Sequence, residues 1–486
     1  MDDNIIKLLG LKQDGVKATI THASDSKLNV TLSKEVHPRF CPICGFRMYS
    51  KGIYSRTVNH PILQDNRQLT LTVKQRRYKC TNPVCSYFMS DEFSFIDKYK
   101  QNTNATDFLI VQDFRDYKAT AASIARKRNV SDTYVINTFA RYVDLDRLPL
   151  DEAVSVDEVF LDIPKIGKYA LIIQNFITGE AIDVLPSRRK SVTEPYFSAI
   201  PIEERRKVKY LIADMYKPYH DYIFHYFPNA IHVVDSFHVI QYINNHLSGY
   251  LRRLTKKLDE RDRELHEQRE AELHRSLNFH HSNEYYIVKN YQWLITKNLD
   301  NIEYSTVDRY DRYLKQYMKT VDYEERLFKI DPVLKELRDL KEEYIKFNNQ
   351  YAGFPELAAD GLEWIINKYR RSNHKIFSVH IASTLQQNFE SIVNSFIVVR
   401  KYTKKGSYIS RLSNGPVESL NRIPKDLRRN GNGYTNFEHI RQRILFANRI
   451  NPTIRSTPKP LKDIIAHTGK KRGPYKKNNK EDSVDE

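Results

Sequence analysis

The stretch AVSVDEVFL, residues 153–161, has the composition of a buried strand but carries an acidic pair at its centre. Val, Phe and Leu favour strands, whereas a charged side chain inside such an apolar run is disfavoured. We therefore predict that Asp157 stands at the middle of this strand because its carboxylate faces a functional site. The alternative is that Asp157 points to solvent, since successive side chains of a strand lie on opposite faces.

The segments that follow alternate between strand and helix patterns. Four more strand candidates come after the first, at residues 168–176, 180–186, 208–214 and 230–238. A helix around Glu194–Ile200 precedes the fourth strand, and a helix over 216–228 precedes the fifth. Three strands, then helix, strand, helix and strand, is the order expected of a ribonuclease-H-like domain. We therefore predict an α/β ribonuclease-H-like core.

In such a core the first strand carries one carboxylate at its centre and the fourth carries another at its end. Asp214 ends the fourth strand, so neighbouring parallel strands would bring it close to Asp157. Two carboxylates at short range repel each other, and such pairs usually hold a cation. Asp214 could instead form a strand-end turn, and Asp235, at the end of the fifth strand, is the rival for the second position. His238 is interpreted as a hydrogen-bonded structural histidine that could also face the site.

All the cysteines lie in two close pairs, Cys41 and Cys44 in C-x2-C and Cys80 and Cys85 in C-x4-C. Two such pairs on turns supply the four soft ligands of a tetrahedral zinc ion. The insert between them contains LTLTVKQRRYK, residues 69–79, which alternates like a strand and has a basic face. We predict a structural zinc ribbon. Disulfides and free thiols are the alternatives.

The chain is basic, with 78 Lys and Arg against 60 Asp and Glu and a formal net charge of +18 over 486 residues. Such an excess points to a polyanion, with nucleic acid first and an anionic membrane surface second. The sequence contains no run of about 20 apolar residues and no signal-peptide pattern, so we expect a cytoplasmic protein without membrane contact. Lys74, Arg76 and Arg77 of the ribbon would suit DNA phosphates.

Residues 107–148 have a helical pattern around two short helices. The first runs from Ala119 to Arg128, and Ser131 is predicted as the N-cap of a second helix that ends near Val143. This spacing predicts a helix-turn-helix, and an ordinary helical connector is the alternative. The expected core positions are Leu109, Phe114, Ile124, Val135, Ile136 and Phe139. The expected major-groove face offers Asp132, Thr133, Tyr134, Asn137, Thr138 and Arg141, and Arg128 is a further predicted DNA contact.

From about Ser236 to Phe396 the chain is mainly helical and highly charged. Leucines at spacings of three, four and seven indicate either a coiled dimerisation helix or a helix packed on its own domain. They are Leu251, Leu254, Leu258 and Leu265. The stretch SNGPVESLNR, residues 413–422, then places Glu418 in the first turn of a helix. There it could serve the helix dipole or take part in chemistry. Arg428 and Arg429 on the following helix are predicted to hold DNA backbone.

These pieces together resemble the insertion-sequence transposases of the ISL-three type over nearly the whole chain. The resemblance is carried by the cysteine pairs with VKQRRYKC, the helix-turn-helix, SVDEVF, ADMYKPY, FPNAIHVVDSFHVIQ and LSNGPVESLNR…GNGYTNFEHIRQRIL. It implies a DDE catalytic triad at Asp157, Asp214 and Glu418, binding Mg²⁺ or Mn²⁺. It also implies a helical insertion between the second and third acids. Three departures stand out, namely Ser419 where Gly is common, Pro424 within a helix, and the wider second cysteine pair.

The predicted domains are a zinc ribbon (1–100), a helix-turn-helix (101–150), catalytic segments (151–240 and 401–455), the helical insertion (241–400) and a basic tail (456–486). The expected function is to bind the terminal inverted repeats of an insertion sequence, nick them, and join the freed 3′-hydroxyl to target DNA. A homodimer or higher oligomer on double-stranded DNA is expected, with nucleoid association when bound. The alternatives are a catalytically silent DNA-binding regulator and a nuclease or resolvase on the same fold.

Overall fold

The computed structural model describes residues 5–6, 9–11, 13–61, 67–215, 225–403 and 406–465. This part of the chain divides into two compact units. The first comprises the described residues of 1–146 and 426–465, and the second comprises those of Arg147–Lys425. The described residues of 401–425 thus belong to the second unit and residues 426–455 to the first. No described helix is both long and apolar enough to cross a membrane.

Fifteen strands occur in the described residues. They are β1 Val16–Ala23, β2 Lys27–Lys34, β3 Arg39–Phe40, β4 Arg47–Asn59, β5 Gln68–Cys80, β6 Phe88–Ser90, β7 Ala153–Ile163, β8 Gly167–Asn175, β9 Ala181–Leu185, β10 Tyr210–Ala213, β11 Ile231–Val234, β12 Arg309–Asp311, β13 Gln316–Met318, β14 Val398–Thr403 and β15 Gly406–Arg411.

The helices of the first unit and of the sheet region of the second are short. The helices before residue 206 are α1 Asn104–Asp113, α2 Ala121–Arg128, α3 Asp132–Tyr142, α4 Lys190–Ser198 and α5 Ile202–Arg205. The remaining α-helices are α6 Ser236–Leu273, α7 Asn283–Tyr291, α8 Trp293–Thr296, α9 Thr320–Ile330, α10 Val333–Gln350, α11 Pro355–Arg370, α12 Ala382–Gln387, α13 Phe389–Asn394, α14 Gly415–Leu420, α15 Arg422–Asn430, α16 Phe437–Asn448 and α17 Leu461–Ile465. A 3₁₀ turn at Leu299–Asn301 and a π-helical segment at Ile376–Ile381 complete the set.

The first unit begins with a six-stranded sheet of order β1-β2-β5-β4-β3, with β6 paired to β5. Strand β5 pairs in parallel with β2 and antiparallel with β4. Its alternate residues Leu69, Leu71 and Val73 are buried in one apolar cluster, as the alternation of the sequence predicts. The basic residues that follow them on β5 are exposed or half-buried, namely Lys74, Arg76, Arg77 and Lys79.

Helices α1–α3 follow this sheet, and their ends are set by local capping. The Thr120 hydroxyl accepts from the backbone N–H of Ser123 at the start of α2, and Asn129 ends that helix with a φ of 52°. The Ser131 hydroxyl accepts from the backbone N–H of Tyr134, so the predicted N-cap of α3 is confirmed.

Four of the six core positions predicted for these helices are buried, namely Phe114, Ile124, Val135 and Phe139. Leu109 is half-buried. Ile136 was also expected in the core, but it is 39 % exposed, so that prediction is wrong. The reason is helical phase, since the buried face of α3 runs through residues 135, 138 and 139 and leaves position 136 on the other side.

Helix α16 belongs to the same unit and packs against the end of α1 and against α3. The buried guanidinium of Arg443 lies 4.0 Å from the ring centre of Phe114, and the rings of Phe139 and Phe446 are 5.6 Å apart. The Gln442 amide bonds both backbone groups of Leu145, at 2.8 Å and 3.2 Å. Helix α16 is therefore part of the core of the first unit.

The second unit is built on a five-stranded sheet of order β11-β10-β7-β8-β9. Strand β10 is parallel to β7 and β11, whereas β7, β8 and β9 are antiparallel neighbours. The five strands predicted from the sequence all occur within a few residues of their expected bounds. The helix expected around Glu194–Ile200 is α4. Most of the helix expected over 216–228 lies outside the described residues.

The two faces of this sheet have different covers. Val154 and Val156 of β7 share a buried cluster with Phe197 and Phe227. The opposite face, with Ala153, Ile212 and Val233, packs against Leu412 near the end of β15. Because strand side chains alternate, the sheet has two apolar faces. The segments next to the sheet strands in the chain cover one face, and the chain that returns from the helical region covers the other.

That helical region runs from α6 to α13, both included, and has one extended apolar core. Leu251 and Leu258 of α6 are buried in it and Leu254 packs against it, whereas Leu265 is exposed. These contacts favour the interpretation of α6 as a helix packed on its own unit.

Candidate active site

Strand pairing sets two of the predicted carboxylates at the same height in the sheet. In the parallel pair of β7 and β10, Ser155 lies opposite Ile212. Asp157 and Asp214 each come two residues later along these strands, so they stand at the same level and on the same face. Burial raises the pKa of Asp157, and the negative charge of Asp214 raises it further, as expected for neighbouring carboxylates.

A third carboxylate continues this row. Ala213 of β10 pairs with Val234 of β11, and the next residues are Asp214 and Asp235. Asp235 was the rival candidate for the second acid. The structure places it beside the row of Asp157 and Asp214, at the end of a neighbouring parallel strand.

Glu418 reaches this edge of the sheet on the short helix α14. The backbone N–H of Glu418 donates to the carbonyl of Asn414 at 2.9 Å, and Val417 and Leu420 are buried beneath the helix. The Gln174 amide of β8 also donates to the carbonyl of Pro416 at 3.4 Å. These contacts fix α14 against the sheet and leave the Glu418 carboxylate half-buried near the other acids.

Asn421, one residue beyond α14, makes the direct contact with β7. Its Nδ2 donates to Asp157 Oδ2 at 2.6 Å, and its own backbone N–H donates to the carbonyl of Val417 at 2.8 Å. The other oxygen of Asp157 accepts from the backbone N–H of Glu158 at 2.7 Å. Sequence reasoning missed Asn421. The only signal was its place three residues after Glu418 on a predicted helix, which puts both side chains on one side.

Asp235, His238 and Glu418 form a compact group. One carboxylate oxygen from each acid and one ring nitrogen of His238 lie within 4.8 Å of one another. Asp235 is 2 % exposed, and among the described residues its Oδ2 and the His238 Nε2 have no hydrogen-bond partner. Of the two interpretations of His238, the structure therefore favours the one in which its ring faces the site.

The acids of this site also have raised pKa values. Burial raises the pKa values of Asp157, Asp235 and Glu418. The neighbouring charges of Asp235 and Asp157 raise that of Glu418 further, and His238 opposes this effect. Burial and the repulsion between the acids both disfavour their ionised forms, and a bound cation would offset both effects. The oxygen donors and the unpartnered buried atoms fit a divalent metal ion.

A transposase family model, that of the ISL3 (ISL-three) DDE transposases, matches residues 154–444, more than half of the chain. The chain belongs to this family. The matched segment contains all the acids of the site together with His238 and Asn421. The family implies a divalent metal and DNA as a partner. No curated protein matches the chain.

Outside the matched segment, this ISL3 transposase carries its four cysteines in one cluster. The Sγ atoms of Cys41 and Cys85 are 3.8 Å apart, and those of Cys44 and Cys80 are 3.4 Å apart. A disulfide needs about 2.0 Å, so the thiols are free. Four thiolates placed tetrahedrally at about 2.3 Å from zinc would be about 3.8 Å apart. The cluster therefore fits a zinc ion.

One residue of α3 that was predicted to face DNA in this transposase lies on the buried side of the helix. Thr133 is exposed and Asn137 is half-buried, but Thr138 is 2 % exposed. It lies on the face of α3 that buries Val135 and Phe139. Thr138 therefore does not belong to the outward face of α3, where the sequence predicted it.

Three other predicted DNA contacts of the transposase have partners within its first unit. The Tyr134 hydroxyl donates to the Asp107 carboxylate, and burial raises the pKa of this tyrosine. Arg128 donates to Asp113 through Nε at 2.7 Å, and Arg141 Nε donates to a backbone carbonyl at 2.9 Å. These interactions hold the side chains in fixed positions.

The remaining predicted contacts lie on β5 and α15. Lys74 and Arg77 of β5 are exposed, and Arg76 is half-buried. On α15, Arg429 is exposed and pairs with a carboxylate 2.8 Å away, and Arg428 is half-buried. Their part in DNA binding by this transposase stays a prediction.

Proposed function

We propose that this protein is a DDE-type DNA transposase whose second unit is a ribonuclease-H-like catalytic domain. The observation that supports the proposal is the level placement of Asp157 and Asp214 on neighbouring parallel strands. Glu418 lies near enough to Asp157 for the charge of Asp157 to contribute, after burial, to the raised pKa of Glu418. Three antiparallel strands, a helix and two parallel strands in the order β11-β10-β7-β8-β9 support the fold assignment. Membership of the ISL3 transposases supports the activity.

The proposed catalytic acids are Asp157, Asp214 and Glu418, and they would hold Mg²⁺ or Mn²⁺. Bound divalent ions in such sites activate the attacking water or 3′-hydroxyl and stabilise the leaving oxygen. The protein's own part is to hold the carboxylates apart from bulk water at fixed positions. Asn421 does this for one oxygen of Asp157, and the buried residues under α14 do it for Glu418.

For DNA recognition we propose a division of labour within the first unit. The cysteine cluster would hold Zn²⁺ and order the ends of β4 and β5, so that Lys74 and Arg77 face phosphates. Helices α2 and α3 would act as a helix-turn-helix, with Thr133 and Asn137 towards the major groove. The substrates would be the terminal inverted repeats and the target DNA, bound by a homodimer or a higher homo-oligomer.

The test is cleavage of labelled element-end DNA by purified protein with Mg²⁺, with and without EDTA. Asp157→Asn should abolish cleavage and spare end binding in a mobility-shift assay. The matched control is Asp162→Asn, since Asp162 is exposed on the same strand and lies outside the acidic site. Retained cleavage by Asp157→Asn would refute the assignment. End binding by the wild-type protein without any metal-dependent cleavage would instead support the catalytically silent regulator.

A further inference from the structure

The end of β11 and the start of α6 place an acid and an imidazole side by side. Asp235 directly precedes α6, and the backbone N–H of His238 donates to the carbonyl of Asp235 at 3.1 Å. Residues three apart at the start of a helix lie on one face, so both side chains turn the same way. Glu418 approaches them from α14, 180 residues further along the chain.

The three side chains lie close together without bonding to one another. Their ligand atoms lie within 4.8 Å, yet no hydrogen bond or ion pair joins them in the described residues. Asp235 Oδ2 and His238 Nε2 are both buried without a partner. Buried polar atoms in native proteins are almost always satisfied, so two unsatisfied atoms in one group point to a ligand that both of them contact.

A divalent cation is the ligand that fits these donors. Two carboxylate oxygens and one neutral imidazole nitrogen can all coordinate the same ion, and the ion's charge would offset the repulsion between Asp235 and Glu418. Mg²⁺ and Mn²⁺ both bind carboxylate oxygens, but imidazole is a ligand of first-row transition metals, to which Mn²⁺ belongs and Mg²⁺ does not. The nitrogen donor therefore affects which metal is bound.

We propose that Asp235 and His238 bind a divalent cation together with Glu418, with a nitrogen of His238 as a direct ligand that makes the site prefer Mn²⁺ to Mg²⁺. The inference deepens the proposed function, since Glu418 is shared with the proposed triad. It extends the ligand set beyond Asp157, Asp214 and Glu418. It also adds a nitrogen ligand to the oxygen ligands expected from the sequence.

The test is Mn²⁺ binding to the full-length, zinc-loaded protein, purified without a histidine tag. Free Mn²⁺ is measured by electron paramagnetic resonance, and competition with Mg²⁺ gives the preference. His238→Gln should weaken Mn²⁺ binding at least tenfold while changing Mg²⁺ binding much less. Asp235→Asn should weaken binding of both metals. The matched control is His280→Gln, because His280 is exposed and remote in sequence from the group.

Electron spin echo measurements of the bound Mn²⁺ provide a direct signature. Coupling to a directly bound imidazole nitrogen should appear in the wild-type protein and in His280→Gln and vanish in His238→Gln. Thermal unfolding of each variant shows whether it is folded. Nitrogen coupling that persists in folded His238→Gln, or Mn²⁺ affinity unchanged in both site variants, would overturn the proposal.

The outcomes separate this inference from the proposed function. Cleavage of end DNA by protein whose Mn²⁺ shows no nitrogen coupling would reject the His238 ligand and keep the transposase. Nitrogen-coupled Mn²⁺ in a protein that never cleaves end DNA would keep the cation site and reject the catalytic proposal.

Discussion

Asn421 Nδ2 donates a 2.6 Å hydrogen bond to Asp157 Oδ2 across 264 residues of sequence. This bond joins the segment that follows Glu418 to the centre of β7. It therefore couples the positions of two proposed catalytic acids that lie on different elements. A neutral amide also stabilises the ionised form of Asp157, which opposes the effect of burial on its pKa.

Loss of this bond should impair catalysis more than folding. Residues that orient metal-binding carboxylates typically change metal affinity or activity by about 10–100-fold when removed. We expect Asn421→Ala to lower the cleavage rate by about that factor. Single-turnover cleavage of end DNA measures the effect, and Asn290→Ala on the exposed face of α7 is the control. A cleavage rate equal to that of the wild type would remove Asn421 from the site.

The raised pKa values predict an unusual pH dependence of stability at the site. A carboxyl group with a higher pKa in the folded state holds its proton more tightly there. The free energy of unfolding therefore falls as pH rises from the unfolded pKa through the folded pKa. Burial raises the pKa of Asp235 in this way. Without divalent cations, Asp235→Asn should raise Tm near neutral pH, and the difference from the wild type should shrink towards pH 4.

Calorimetry can resolve this effect, because a domain of 150–250 residues shifts by about 2–4 °C per kcal/mol. Added Mn²⁺ should stabilise the wild type and reverse the order of the two proteins, since the asparagine of the variant cannot supply a carboxylate. Asp162→Asn should show no such pH-dependent difference. A lower Tm for Asp235→Asn at neutral pH without metal would contradict the prediction.

The cysteine cluster predicts one zinc ion per chain. Elemental analysis of protein purified without chelators should find it, and Cys80→Ser should release it, because a tetrahedral site needs all four ligands. Cys80 is buried beside Met48 and Tyr78, so the apolar cluster around it should loosen and Tm should fall. Asp157→Asn should keep its zinc. A full complement of zinc in Cys80→Ser would show that the metal binds elsewhere.

Phosphate contacts by the first unit predict a salt-dependent loss of DNA affinity. Lys74 is exposed on β5, and Lys74→Ala should weaken binding to any DNA sequence and lower the salt slope by about 1. Lys17→Ala is the control, since Lys17 pairs with Glu35 at 3.2 Å. Mobility shifts at several salt concentrations measure the slope. An unchanged slope for Lys74→Ala would exclude this phosphate contact.

The α3 surface predicts sequence-specific contacts. Asn137→Ala should cost about 1–3 kcal/mol of end-DNA binding and relax preference at one base position if it reads a base edge. Thr138→Val one residue later should leave DNA affinity unchanged, because Thr138 is buried. Binding-site selection with randomised ends compares the two variants. Equal losses for both would mean that the helix was destabilised and had lost no base contact.

Much of the local structure was determined by the sequence alone. The apolar runs of β7 to β11, the cysteine pairs, the Ser131 N-cap and the helix that carries Glu418 depend on residues a few positions apart. Their signals are complete within short windows, because strand alternation, capping and turn chemistry act locally. Asp157 and Asp214 could be chosen on the same grounds, whereas Glu418 was assigned a part in the triad only through the family resemblance.

Tertiary structure alone decided how these pieces meet. The parallel register that sets Asp214 level with Asp157 and Asp235 depends on pairing between strands far apart in the chain, which no local pattern encodes. The approach of Glu418 to Asp235 and His238, and the hydrogen bond from Asn421 to Asp157, depend on long-range packing in the same way. Burial of Thr138 followed from packing of a whole helix face. Side chains remote in sequence enter one site only when the long-range contacts of the fold are complete, so the sequence supplied the chemical groups and packing arranged them.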